Sequence, residues 1–125
     1  MKARRKFDDQ NRLIQEWSEV EGTPHGVWRA WSPNGALIFE VTFNNGQEEG
    51  ELRMWDETGR LMQSAWFEKG VMHGHFRCWW PNGQIKEDGE YRQGQRIVPY
   101  VWYDQDGEVV QTYPEPKPTA GPKFR

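Results

Sequence analysis

The chain has 125 residues, 35% of them apolar, with 16 Lys and Arg against 19 Asp and Glu and a single cysteine, Cys78. A net charge of −3 supplies no global field for nucleic acid or anionic lipid, and one cysteine excludes an intrachain disulfide and a multi-cysteine zinc site. Eight Trp, six Phe and four Tyr exclude the aromatic-poor composition of a disordered chain and, beside so few apolar residues, point to a thin sheet burying a few large rings.

A chain of this length is ordinarily one domain. The opening MKARRKF is basic, but no apolar stretch follows it, so it does not read as a secretory signal. No run of 18 apolar residues occurs, so no membrane-spanning helix is expected. A reducing, cytoplasmic location is the expectation from cysteine usage.

From residue 3 onward the chain repeats itself every 24 residues without a gap, and a repeat array is the first thing to settle. Residues 3–26 are the most degenerate copy: Arg5, Phe7, Asn11 and Leu13 stand one step before Arg29, Trp31, Gly35 and Leu37. Asn is the next best residue after Gly where φ must be positive, so this copy reads as a solvent-facing cap. The rival reading is a short helix over residues 12–20. Copies at 27–50, 51–74 and 75–98 and a partial copy at 99–113 follow. Gly35, Gly59, Gly83 and Gly107 keep the step, as do Trp31, Trp55, Trp79 and Tyr103, and Leu37, Leu61, Ile85 and Val109.

Each copy reads as strand, turn, strand, turn. Residues 28–31 and 37–43 are rich in β-formers, and Ser32-Pro33-Asn34-Gly35 has the chemistry of a type I turn closed by a glycine bulge. Asn44-Asn45-Gly46 makes the second turn, and helices are disfavoured by a Gly or Pro every few residues. The expected fold is all-β: an elongated single-layer antiparallel meander of about ten strands over residues 3–113. Residues 114–125 then form a Pro-rich extended tail that either lies back over the last hairpin or stays free.

Strand alternation gives the ribbon two faces. A three-residue turn pairs Trp31 with Leu37 and Arg29 with Phe39. One face then carries Trp31, Trp55, Trp79 and Tyr103 with Arg29, Arg53 and Arg77 beside them. The other carries Trp28, Leu52, Phe76 and Tyr100 with Ala30, Met54, Cys78 and Trp102. Both faces are apolar over half their width, so curl, a partner or self-association must cover the remainder.

GVWRAWSPNGALIFEVTFNNGQEEG and its copies resemble MORN-type repeats, and more narrowly the bacterial variant of the YwqK-type antitoxins. There an aromatic, Asn-Gly, an aliphatic, Glu, an aromatic and a second Gly pair recur. Residues 27–113 carry the pattern well and 3–26 weakly; Ser64 and Asp88 depart from it where Glu40 stands, and Val98 replaces a closing glycine. The resemblance implies a β-hairpin array and an antitoxin or immunity-type role in which the sheet occludes a toxin.

No enzyme constellation is visible. His25 and His73 hold the same place in their copies, so repetition explains them; His73 and His75 lack the further ligands a metal needs. Cys78 sits mid-strand as a small hydrophobe, and no phosphate-binding loop occurs. No cofactor or metal is expected. The candidate partner-binding residues are Arg29, Trp31, Arg53, Trp55, Arg77, Trp79 and Tyr103. Each Arg has the spacing to stack on its Trp, worth about 0.5–2 kcal/mol; the plainer reading is cross-strand packing. Trp and Arg are also enriched at interface hot spots. A protein partner is therefore the leading expectation. Single-stranded nucleic acid is opposed by the negative charge. A membrane surface requires a basic face, supplied only by these arginines with Lys2, Arg4, Arg5 and Lys6. Exposed terminal strands offer edges through which two copies can pair.

Overall fold

The computed structural model describes residues 1–114. It is all-β, one open antiparallel sheet with no helix among the described residues. The strands are β1 (Lys2–Phe7), β2 (Leu13–Val20), β3 (Thr23–Pro24), β4 (Gly26–Trp31), β5 (Leu37–Asn44), β6 (Gln47–Glu48), β7 (Gly50–Trp55), β8 (Leu61–Glu68), β9 (Val71–Trp79), β10 (Ile85–Arg92), β11 (Gln95–Tyr103) and β12 (Val109–Tyr113). Ten of them follow one another across the sheet, from β1 at one edge to β12 at the other. The two-residue β3 and β6 pair back onto β2 and β5. The rival helix over residues 12–20 is not found, since Leu13–Val20 is a strand. The Pro-rich tail, and its expected return over the last hairpin, lie outside the described residues beyond Pro114.

The first turn of each copy closes as its chemistry requires. The Gly35 amide donates to the Ser32 carbonyl (2.9 Å), and the Ser32 amide to that of Ala36 (2.9 Å). Gly35 takes φ +89°, and Asn11 takes the equivalent place in the first hairpin at φ 65°. Asp8, Asp56 and Asp104 brace their turns by accepting the amide two residues on, at 2.9 Å in each case.

The pairing beyond the turn differs from the expectation by one residue. Trp31 does face Leu37, but Arg29 faces Glu40 and Ala30 faces Phe39. A bulge between the two pairs accommodates one extra residue, Ile38, in the second strand. The same shift recurs beside Ile14, Met62, Lys86 and Val110, again 24 residues apart. A bulge adds one residue on one strand and resets its alternation. Leu37 and Glu40 consequently share a face with Trp31 and Arg29.

The core is a transverse row on the opposite face. Trp28 pairs with Val41 and Leu52 with Ala65, while Ala65 and Gly89 both flank Phe76. Large side chains from the first strand of each hairpin thus alternate with small ones from the second. Val41, Ala65 and Tyr100 are the buried apolar residues of the described chain. At the far end the Tyr100 ring lies on Gly89, where a Cβ would come within 2.0 Å of it. Trp17 extends the row toward the first edge by stacking on Trp28 at 4.5 Å and 9°. Aromatic rings, not a second layer, therefore cover this face.

Candidate partner-binding surface

The seven residues singled out in the sequence fall on one face, in two transverse rows. Trp31, Trp55, Trp79 and Tyr103 end the first strand of successive hairpins, opposite Leu37, Leu61, Ile85 and Val109. All four rings are half-buried, beside the hairpin tips.

The arginines lie two residues back and are already partnered. Register pairs run Arg5, Glu16, Arg29, Glu40, Arg53, Ser64, Arg77, Asp88 across the sheet. Glu40 takes a hydrogen bond from Arg29 at 2.8 Å and another from Arg53 at 2.9 Å; Asp88 takes one from Arg77 at 3.1 Å. The ladder thus alternates in charge. The expected Arg-on-Trp stacking occurs only at Arg53 over Trp55, 5.4 Å from the ring, among the described residues. The remaining cation–π contacts are Lys86 on Trp80 and Arg96 on Tyr100 and Trp102. The one-residue shift sets Glu40, not Phe39, opposite Arg29 and Asp88 opposite Arg77, and these two guanidiniums bond to the carboxylates instead of lying on their rings.

Ser64 interrupts the alternation and introduces a cluster that the sequence reading missed. Its hydroxyl is 2.6 Å from Glu51 Oε2 and 2.8 Å from His75 Nε2. Burial, then the charge of Arg77, lowers the His75 pKa below its ordinary 6.5. Serine, histidine and glutamate together invite comparison with a nucleophile triad, but the roles do not correspond. The carboxylate sits on the serine and lies 3.6 Å from the same Nε2, whereas a triad holds the far ring nitrogen. Ser64 is also only 3% exposed. The cluster links Arg53 and Arg77 where an acid is missing; the Arg53 Nε, 3.6 Å from Glu51, is left without a hydrogen bond.

The other two histidines act as braces. His25 Nδ1 accepts the Asn45 amide at 3.2 Å, and His73 Nδ1 that of Gln93 at 3.2 Å. Glu49 does the same for Lys69 in the copy between. Each brace holds a non-glycine residue at positive φ, 51° to 52°. Among the described residues no three His, Cys, Asp or Glu side chains gather as a metal would need. Burial raises the Cys78 thiol to about 11, so it is unreactive as a thiolate.

Two of the grooves at the hairpin tips repeat one another. One, of about 410 Å³, is lined by Arg12, Leu13, Trp31 and the 32–35 turn. The other, of about 480 Å³, is lined by Ala36, Leu37, Trp55 and residues 57–59. They are the same site one repeat apart. No curated protein is detectably similar to the chain. A family model described as a MORN repeat variant matches residues 24–45 and 72–93, two hairpin units that lie two 24-residue steps apart in the sheet.

Proposed function

We propose that this protein is a non-enzymatic binding module whose tryptophan row, at the open grooves beside Trp31 and Trp55, docks a protein partner. The observation that carries this reading is a pair of half-buried rings, Trp31 and Trp55, each beside an open groove of the sheet. Aromatic side chains in preformed grooves are the usual anchors of interfaces. The arginines support the row from behind, because their charge is taken up by Glu40 and Asp88. An antitoxin or immunity-type task, with a toxin as the occluded partner in a bacterial cytoplasm, is the specific form that the resemblance to the YwqK-type antitoxins implies. Attachment to an anionic membrane draws less support, since Arg4 and Arg5 are paired with Glu19 and Glu16.

Capture from host lysate tests the reading. The intact protein is compared with a Trp31→Ala/Trp55→Ala/Trp79→Ala variant whose fold is checked by circular dichroism. Stoichiometric capture of one protein, lost in the folded variant, supports the reading; co-expression with that protein then shows whether its toxicity is relieved. Capture that is unchanged in the variant overturns it.

A further inference from the structure

We infer that the two open grooves form a composite site for a cationic, proline-containing peptide in the polyproline II conformation, laid across the hairpin tips. This rests on the binding-module reading and names the chemistry of the ligand.

Spacing carries the first half of the argument. Trp31 ends β4 and Trp55 ends β7, two strands further along the sheet. At about 4.7–4.9 Å per strand, the grooves recur roughly every 9.4–9.8 Å. A polyproline II helix advances about 3.1 Å per residue with three residues per turn, so side chains three apart fall about 9.3 Å apart on one face. An extended strand offers same-face side chains at about 6.6–6.8 Å. An α-helix repeats about every 5.4 Å. Of the three, polyproline II matches best, and aromatic-lined grooves are what such segments dock into.

The later repeats close the equivalent places. Arg60 Nη1 donates to the Pro81 carbonyl at 2.7 Å, bridging the groove between Leu61 and Trp79. Asn82 Nδ2 reaches the Gln105 carbonyl at 2.9 Å and Trp80 Nε1 that of Tyr103 at 3.1 Å, bridging the next. At the place of Arg60, the open groove beside Trp55 has Ala36, which is too short to bridge, and the open groove beside Trp31 has Arg12, which donates to Asp8 at 2.8 Å. Two anchors three residues apart are therefore accommodated, not four.

Charge carries the second half. The five tips, residues 8–12, 32–36, 56–60, 80–84 and 104–108, hold seven carboxylates against two arginines, Arg12 and Arg60. Both arginines are ion-paired within their own turns, to Asp8 at 2.8 Å and Asp56 at 3.0 Å. Turns on the opposite edge, residues 20–26, 44–50, 68–74 and 92–98, hold four carboxylates against three cations. The three tips that flank the grooves hold four of the seven carboxylates, with Glu57 lining the second groove and the ion-paired Arg12 the first, so the edge that carries the grooves keeps an acidic excess.

The probe is a synthetic peptide, Pro-Pro-Leu-Pro-Pro-Leu-Pro-Arg-Arg, titrated into the full chain and followed by tryptophan fluorescence and indole NMR shifts. Controls place the leucines two apart or replace both arginines by Gln. The expected result is saturable binding that weakens about 10-fold or more in Trp55→Ala and in Ala36→Arg. The second variant fills the groove without removing a ring, so it keeps the test decisive should Trp55→Ala unfold. Binding should survive Trp79→Ala and weaken in high salt and with the Gln control. Absence of saturable binding, equal binding of the two-apart control, or equal sensitivity to Trp79→Ala overturns the inference. If lysate capture through Trp31 and Trp55 succeeds while the peptide fails, only the ligand chemistry is wrong; if both fail, the binding-module reading falls with it.

Discussion

Replacing Gly89 by alanine is the sharpest test of how the sheet packs its inner face. Gly89 follows Val41 and Ala65 at the small positions of the core row, but there is no room for even a methyl group. A Cβ would lie 2.0, 2.4 and 2.5 Å from Cδ2, Cε2 and Cγ of Tyr100. The ring cannot swing aside, because its hydroxyl donates to Glu87 and its faces meet Tyr91 and Trp102. Overpacking of this kind costs about 1–3 kcal/mol. Removing a glycine from a strand interior returns about 0.5–1 kcal/mol. With a fixed ring the upper half of the first range applies, leaving a net loss of about 1–2.5 kcal/mol. For a domain of this size that lowers Tm by roughly 4–10 °C. The assay is thermal and urea unfolding of Gly89→Ala, Tyr100→Leu and the double variant. Ala65 already sits between Leu52 and Phe76, so the double variant recreates that neighbourhood and should recover about 1 kcal/mol relative to additivity. A neutral or stabilising Gly89→Ala, or strict additivity, would refute the ring-on-glycine packing.

Three further outcomes follow from the polar rows. Glu40→Gln should cost about 0.5–1.5 kcal/mol in low salt, because one carboxylate serves both Arg29 and Arg53, and much of that should vanish in 1 M salt; denaturant titration at the two salt concentrations checks it. The Thr58 hydroxyl, helped by the Arg60 and Thr58 amides, holds Asp56 at about 2, so its contribution is complete above the ordinary 3.8 and disappears as pH falls toward 2; a carboxyl-carbon NMR titration should show that midpoint rising in Thr58→Ala. His75 is held below 6.5, so below that pH the unfolded chain takes up the proton first, and stability should fall between pH 7 and 5 with a smaller slope in His75→Gln.

The 24-residue step made most of the fold legible before any coordinates. It located the tips, the strands, the equivalence of Asn11 with Gly35, and the inner row of Trp28, Leu52, Phe76 and Tyr100. What it left hidden was the bulge. Ile14, Ile38, Met62, Lys86 and Val110 share no side-chain signature that marks an extra residue, since a bulge is a backbone event whose sequence cost is small. That single hidden residue decided the electrostatics. The sequence showed an Arg at the first four steps and an acid at most steps, but a one-residue error set Phe39 against Arg29 and hid the pairing with Glu40. Ser64 was visible as a departure from the pattern. Its junction with Glu51 and His75 was not, because those contacts run diagonally across three strands and depend on side-chain reach.

The same correction changes where a partner should be sought. Arginines stacked on tryptophans would have made the middle of the face a hot spot of free charge. Arginines spent on Glu40 and Asp88 make it a strut, which fixes the rings but offers little to a ligand without breaking bonds already made. Rings at the strand ends have no such commitment on their outer side, and there the copies diverge. Arg60 and Asn82 reach across their grooves to a neighbouring carbonyl, while Ala36 cannot and Arg12 is bonded to Asp8 within its own turn. An array built only for rigidity gains from bridging every groove, since each bridge adds a hydrogen bond at no cost to the sheet. Leaving two adjacent grooves open on the most acidic edge forgoes that gain, and the placement has a physical use if something else fills them.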